Sequence, residues 1–333
     1  MPTTKRILII HGRAQKPKKE EIRAIWYEAI KHGLKRDFNA QLADQFDNFE
    51  KEFIYYGDIT NKRFFSNEYE DDQLRIKTLN KLKTYSAEGF NEDNYDNLHT
   101  FGFFNEGLAD FFSSPLNLFN IGESLIKIKA PDVIEYWNKD SEFNHLVQER
   151  LISPLKKYLA NGDEIMLIAH SLGTIISYDV LWQLSHLNEF KNAIGPDKKV
   201  NLFVTLGSPL GDIHVKDNLR GASLSIYSPP RGCKNNSLKE ELIAKDKIRQ
   251  YPTNIHKWVN ISAEDDYICH DSHIQDDFQE MIDLDLIKKE NFIEEEDKIY
   301  NLAVKGEKSN PHASVGYLIH PRFIKILAEW MTT

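Results

Sequence analysis

Cysteine is nearly missing from this chain: Cys233 and Cys269 are the only two in 333 residues. That excludes a disulfide framework, leaves room for a single bridge at most, and points to a reducing, cytoplasmic setting. Long apolar runs are missing too. The first, residues 7–10, breaks at His11-Gly12. It is too short for the core of a secretory leader, and nothing nears the length of a membrane-spanning helix. No integral membrane segment is therefore expected. Positive charge is in deficit, with 42 Lys and Arg against 51 Asp and Glu and a net charge of -9. This excludes nucleic acid as the main partner, because neutralising phosphates needs a basic surplus. Lys16, Lys18 and Lys19 form the one early basic cluster and read as a solvated loop. Neither a phosphate-cradling P-loop nor a dinucleotide-binding glycine fingerprint occurs. His270 and His273 beside Cys269 and Asp271 match no zinc-ligand spacing, so neither a metal nor another cofactor is expected. Internal repeats and low-complexity tracts are absent.

What is present is a globular composition, 41% apolar and 28% charged, enough to fill one large domain with insertions across residues 1–333. Short apolar runs alternate with segments of helical periodicity. That alternation predicts an α/β fold with a mostly parallel sheet covered by helices on both faces. Strands are expected at 5–10, 52–56, 165–169, 200–206 and 258–262, with a sixth at 298–304. Ile22, Ile25, Trp26, Ala29 and Ile30 mark a helix face that stops near Gly33. Further helices are expected from Phe143 to Leu159 with Gly162 as the stop, from Gly173 to about Leu187, and from Ile324 to Trp330. Two stretches break the rhythm. Residues 59–140 are rich in Asn and Asp and carry Phe101, Phe103, Phe104, Phe111, Phe112 and Phe119, and read as a cap-like insertion with its own helices, whose phenylalanines either pack it onto the core or line an apolar pocket or lid. Residues 211–255 form a second excursion, with a turn at Pro229-Pro230 and a charged helix near 238–247.

The most informative stretch is "IMLIAHSLGT", residues 165–174. Ser171 sits where a buried strand passes into a buried helix, with the small residues Ala169 and Gly173 two positions to either side. A sharp strand-to-helix turn exposes a serine hydroxyl at the C-terminal edge of a parallel sheet, where such folds bind ligands. Strand and helix pass close beneath the turn, so its flanks must be small. The turn also aims main-chain N–H groups at a developing oxyanion, and the N–H of Leu172 is the first such donor. This is the logic of the G-x-S-x-G nucleophile elbow, from which the chain differs only by Ala169 in place of glycine.

With the segments "ILIIHGRA", "IMLIAHSLGT", "FVTLGSPLG", "WVNISAEDD" and "NPHASVGY" in that order, the chain resembles the α/β-hydrolases, and among them bacterial lipase- and esterase-like serine hydrolases. The resemblance spans the core strands but not 59–140. It implies an α/β-hydrolase fold and a triad in the order serine, acid, histidine. By that match Asp266 is the acid, with Asp265 in reserve, Asp212 a weaker alternative after the fourth strand, and Glu264 beside them. His312 is the base, with His320 as the alternative and more in keeping with the start of a helix. The resemblance also makes the N–H of Arg13 the second oxyanion donor and lets Gly12 approach the substrate closely. The Arg13 side chain points either to an anionic substrate group or to the surface. His170, next to the serine, turns to a structural hydrogen bond while lining the substrate site. The implied activity is hydrolysis of a carboxylic ester, lipid or small, through an acyl-enzyme. The alternatives are a non-catalytic binding scaffold of the same fold, or acyl transfer or amide hydrolysis on the same triad. Oligomeric state has no signature in the sequence.

Overall fold

The central strands of the main sheet are buried on both faces, as their unbroken apolar runs require. The computed structural model describes residues 4–98, 130–195, 197–222, 243–269, 273–294, 298–306 and 308–333. The six strands of the main sheet are β1 (Lys5–Ile10), β2 (Glu50–Ile54), β3 (Glu164–His170), β4 (Leu202–Leu206), β5 (Trp258–Ile261) and β6 (Phe292–Glu294). They lie in the order β2-β1-β3-β4-β5-β6, and all neighbouring pairs are parallel.

Alternation along each strand divides the core in two. Leu8, Ile10, Leu167, Ala169, Phe203 and Trp258 face one side. There they meet the helices α3 (Pro131–Trp137), α4 (Glu142–Asn161) and α5 (Leu172–His186). Ile7, Ile9, Met166, Ile168, Val204 and Val259 face the other side. That side is covered by α1 (Lys19–Asp37), α2 (Gln73–Leu82), α6 (Ser314–Ile319) and α7 (Pro321–Thr332). Gly162, in a left-handed conformation at φ +76°, ends α4 as the sequence predicts.

Two elements differ from expectation. The helix marked by Ile22–Ile30 spacing runs past Gly33 to Asp37. Gly33 is there for packing: a Cβ would sit 2.5 Å from the Ile324 side chain on α7. The sixth strand is Phe292–Glu294, with Phe292 stacked on Trp258 at 4.7 Å. Residues 298–304 instead touch the sheet by one bridge, Ala263 to Ile299, because the buried Asn301 directs its amide to Pro311 and Ala313 carbonyls. The first part of the 59–140 stretch packs onto the core. Leu79, Leu82, Phe90, Tyr95 and Leu98 belong to the second face. The six phenylalanines from 101 to 119 and the Pro229-Pro230 turn lie outside the described residues, as does the first part of the 238–247 helix.

The topology fixes where a ligand can reach the sheet. From β1 the chain moves to β2 on one side, and from β3 to β4 on the other. The connections therefore diverge between β1 and β3, the point at which sheets of this kind bind ligands in the crevice outside the C-terminal ends of their strands. Ile10 pairs with Ala169 in register, so Gly12-Arg13 and Ser171 face each other across it. Among the described residues no helix is long and apolar enough to cross a membrane.

Candidate active site

The strand-to-helix joint is built under strain. Ser171 has φ +55° and ψ −128°, a region few residues other than glycine occupy and one typical of functional turns. The surroundings hold it there. Its N–H extends the sheet to Leu206 O at 3.1 Å, and its carbonyl accepts from Thr174 N–H and hydroxyl at 2.8 and 2.7 Å. The predicted need for small flanks has a measurable basis at Gly173. A Cβ there would lie 2.6 Å from the His11 carbonyl oxygen and 3.1 Å from that of Ile10. Gly12 is equally confined, since its Cβ would lie 2.7 Å from the Cβ of Ser171.

Ser171, His312 and Asp266 come together from three loops at that crevice. His312 Nε2 lies 2.9 Å from Ser171 Oγ, and its Nδ1 lies 2.9 and 3.0 Å from the two Asp266 oxygens. A carboxylate accepts only, so Nδ1 carries the proton and Nε2 presents a lone pair to the serine hydroxyl. Asp266 is 2% exposed. Burial pushes its carboxyl up. The facing His312, with hydrogen bonds from His312, the Tyr317 hydroxyl and Ile268 N–H, more than reverses this and holds it below the usual range. The Tyr317 bond is 2.6 Å and the Ile268 bond 3.1 Å. Gly207, at φ +55°, wraps the pair, and a Cβ there would meet Asp266 Oδ2 at 3.0 Å.

The other candidates are placed elsewhere. Asp265 accepts from the Tyr95 hydroxyl at 3.0 Å. Asp212 caps the helix Ile213–Asn218, and Glu264 is exposed. His320 caps α7 through Arg322 N–H at 3.2 Å, and burial lowers its pKa to about 3. His170 donates from Nε2 to the His312 carbonyl at 3.0 Å and packs on Trp26, His312 and Tyr317. It supports the histidine loop from below and, through burial first, stays neutral.

The loop after β1 corrects two expectations. The Arg13 side chain is largely buried, at 12% exposure, rather than spread on the surface. It forms a two-pronged ion pair with Asp132 on α3, at 3.0 and 2.8 Å. Burial raises the Asp132 carboxyl, and the Arg13 charge and hydrogen bonds bring it below its ordinary value. Lys16 is not solvated. It is 7% exposed, with its ammonium on the Arg13, Ala14 and Gln15 carbonyls, and burial followed by repulsion from Arg75 lowers its pKa to about 7. His11 is fully buried and stacked on Tyr56 at 4.1 Å. It donates from Nδ1 to the Gly12 carbonyl at 2.7 Å and accepts at Nε2 from Tyr56 N–H at 3.2 Å. The N–H of Leu172 opens α5 and has no carbonyl a turn behind it within the helix.

Sequence reasoning passed over Tyr317, Asn301 and Asp132. Tyr317 lies in the segment that identified His312, and only its partner was illegible. Asp132 carries no local signal, being 119 residues from Arg13. Among the described residues no group of three or more His, Cys, Asp or Glu is arranged to hold a metal ion. Comparison with protein-family models, with curated proteins and with solved structures finds no match to this chain.

Proposed function

We propose that this protein is a serine hydrolase of the α/β-hydrolase fold, cleaving a carboxylic ester through an acyl-enzyme on Ser171. The observation that carries the reading is the unbroken chain from Asp266 through His312 to Ser171 Oγ, at 2.9 Å per link, on a strained serine at the crevice between β1 and β3. In this reading His312 Nε2 takes the Ser171 proton as Oγ attacks the ester carbonyl carbon. The carbonyl oxygen becomes an oxyanion held by the N–H groups of Leu172 and Arg13. His312, now an imidazolium steadied by Asp266, returns the proton to the departing alcohol oxygen. Water then attacks the acyl-enzyme, giving its proton to His312, and the acid leaves as Ser171 regains its own. No cofactor is required. Cys269 is a free, buried thiol, in keeping with a reducing, cytoplasmic setting.

The test is a panel of 4-nitrophenyl esters of graded acyl length, with wild type, Ser171→Ala and His312→Ala. Turnover by wild type and a loss of at least about 10³-fold in each variant is expected. Turnover that persists in folded Ser171→Ala contradicts the proposal.

A further inference from the structure

The helix that closes the 59–140 stretch reaches back to the loop after β1. Asp132 on α3 is 1% exposed and accepts from Arg13 Nε at 3.0 Å, Arg13 Nη2 at 2.8 Å and the Ala14 N–H at 3.0 Å. A buried ion pair brings little net stability, because desolvating both charges offsets their attraction. A two-pronged arginine contact does fix geometry. Here it fixes the main chain on either side of the Arg13 N–H.

On one side the Gly12 carbonyl accepts from His11 Nδ1, and in a planar trans peptide this turns the Arg13 N–H the opposite way. On the other side the Arg13 carbonyl accepts from Lys16 Nζ while Ala14 N–H is taken by Asp132. Ala14 has φ +72°, a left-handed conformation that alanine keeps only where its surroundings impose it. Asp132 holds both the Arg13 side chain and the Ala14 amide.

We propose that Asp132 is the positioning residue for the Arg13 N–H, so that the closing helix of the 59–140 stretch governs assembly of the oxyanion site. The inference rests on the serine-hydrolase reading above. Asp132 touches no reacting atom and acts through Arg13 and Ala14. A perturbation at α3 then lowers the rate of the chemical step rather than the binding of substrate.

Asp179 supplies the control. It is 2% exposed and accepts from the hydroxyl of Tyr136, also on α3, at 3.0 Å. It lies on α5, and its other carboxylate oxygen accepts from the Arg220 N–H at 2.8 Å. The experiment measures the second-order rate of inactivation by an alkyl fluorophosphonate, whose phosphoryl oxygen seeks the oxyanion site. Turnover of 4-nitrophenyl acetate and thermal unfolding are measured on the same proteins. Asp132→Asn is expected to lose about 10²-fold in inactivation rate and in kcat, with KM within about threefold of wild type. Asp179→Asn is expected to lose stability and keep the wild-type rate. A folded Asp132→Asn inactivated within about twofold of the wild-type rate overturns the assignment, and so does an equal loss in Asp179→Asn. If Asp132→Asn does not fold, Arg13→Lys decides by the same comparison, since it keeps the buried charge balanced without the two-pronged contact. A wild type that takes no label overturns the serine-hydrolase reading and this inference with it, and wild type alone reveals that case.

Discussion

A single methyl group at position 173 probes the site more sharply than removal of the Ser171 side chain. In Gly173→Ala the new Cβ would lie 2.6 Å from the His11 carbonyl oxygen and 3.3 Å from its carbon. An ordinary carbon–oxygen contact is about 3.3 Å, so α5 and the end of β1 must separate by roughly 0.7 Å. Both sides of the contact are main chain, and neither can swing away. Alanine in a helix gains about 1 kcal/mol over glycine, while overpacking a closed core costs about 1–3 kcal/mol. The net effect on stability is a loss of about 0–2 kcal/mol. The effect on rate is larger. The same displacement moves the loop after His11, with the Arg13 N–H, away from Ser171, and a misplacement near 1 Å costs about 10²-fold. Urea unfolding with fluorophosphonate inactivation measures both quantities, with an expected rate loss of ten- to a hundredfold. A variant that gains about 1 kcal/mol and labels at the wild-type rate would refute the close approach of α5 and β1 and the reasoning built on it.

Three further outcomes follow from the same geometry. Ser171→Gly relieves the strained φ of +55° and should raise stability by about 1 kcal/mol in urea unfolding while abolishing labelling. Tyr317→Phe removes a 2.6 Å bond to the Asp266 carboxylate and should cost about 1.5–3 kcal/mol at pH 7. The Asp266 carboxyl is held below its usual range, so its stabilising contribution is present above about pH 4 and is lost as pH falls through the folded value. Tyr317→Phe should therefore move the acid-unfolding midpoint to higher pH, and an unchanged midpoint would contradict this. Asp179 has the opposite sign. Burial raises its pKa to about 6, so the native state takes its proton before the unfolded chain does. The stability of wild type relative to Asp179→Asn should increase by about 1 kcal/mol between pH 7.5 and pH 5, read from urea unfolding at both pH values. A difference that stays flat would show that Asp179 does not titrate in that window.

Much of the sheet was legible because its strands are apolar on both faces. Residues 5–10, 165–169 and the heart of 200–206 announce themselves without alternation. The meeting of Ser171, Asp266 and His312 was legible for a different reason: each sits directly beyond an element of strong pattern, or in a short segment with a recognisable order. What failed was governed by single long-range contacts. Gly33 reads as a helix stop, yet Ile324 from the other end of the chain makes it a packing position. Residues 298–304 look like a strand, yet Asn301 ties them to the histidine loop. Lys16 and Arg13 look like surface charges, because nothing near them in sequence announces Asp132 or the carbonyl cage around the ammonium. Side chains that position others are the least legible class, since their partners lie far off in sequence.

The most direct test of the central claim is intact-mass analysis after incubation with a fluorophosphonate, followed by peptide mapping, on wild type and Ser171→Ala. An activated Ser171 predicts one adduct per chain on wild type, mapped to the peptide holding Ser171, and none on the variant. A folded wild type that remains unmodified, or an adduct that persists in Ser171→Ala, would contradict the account.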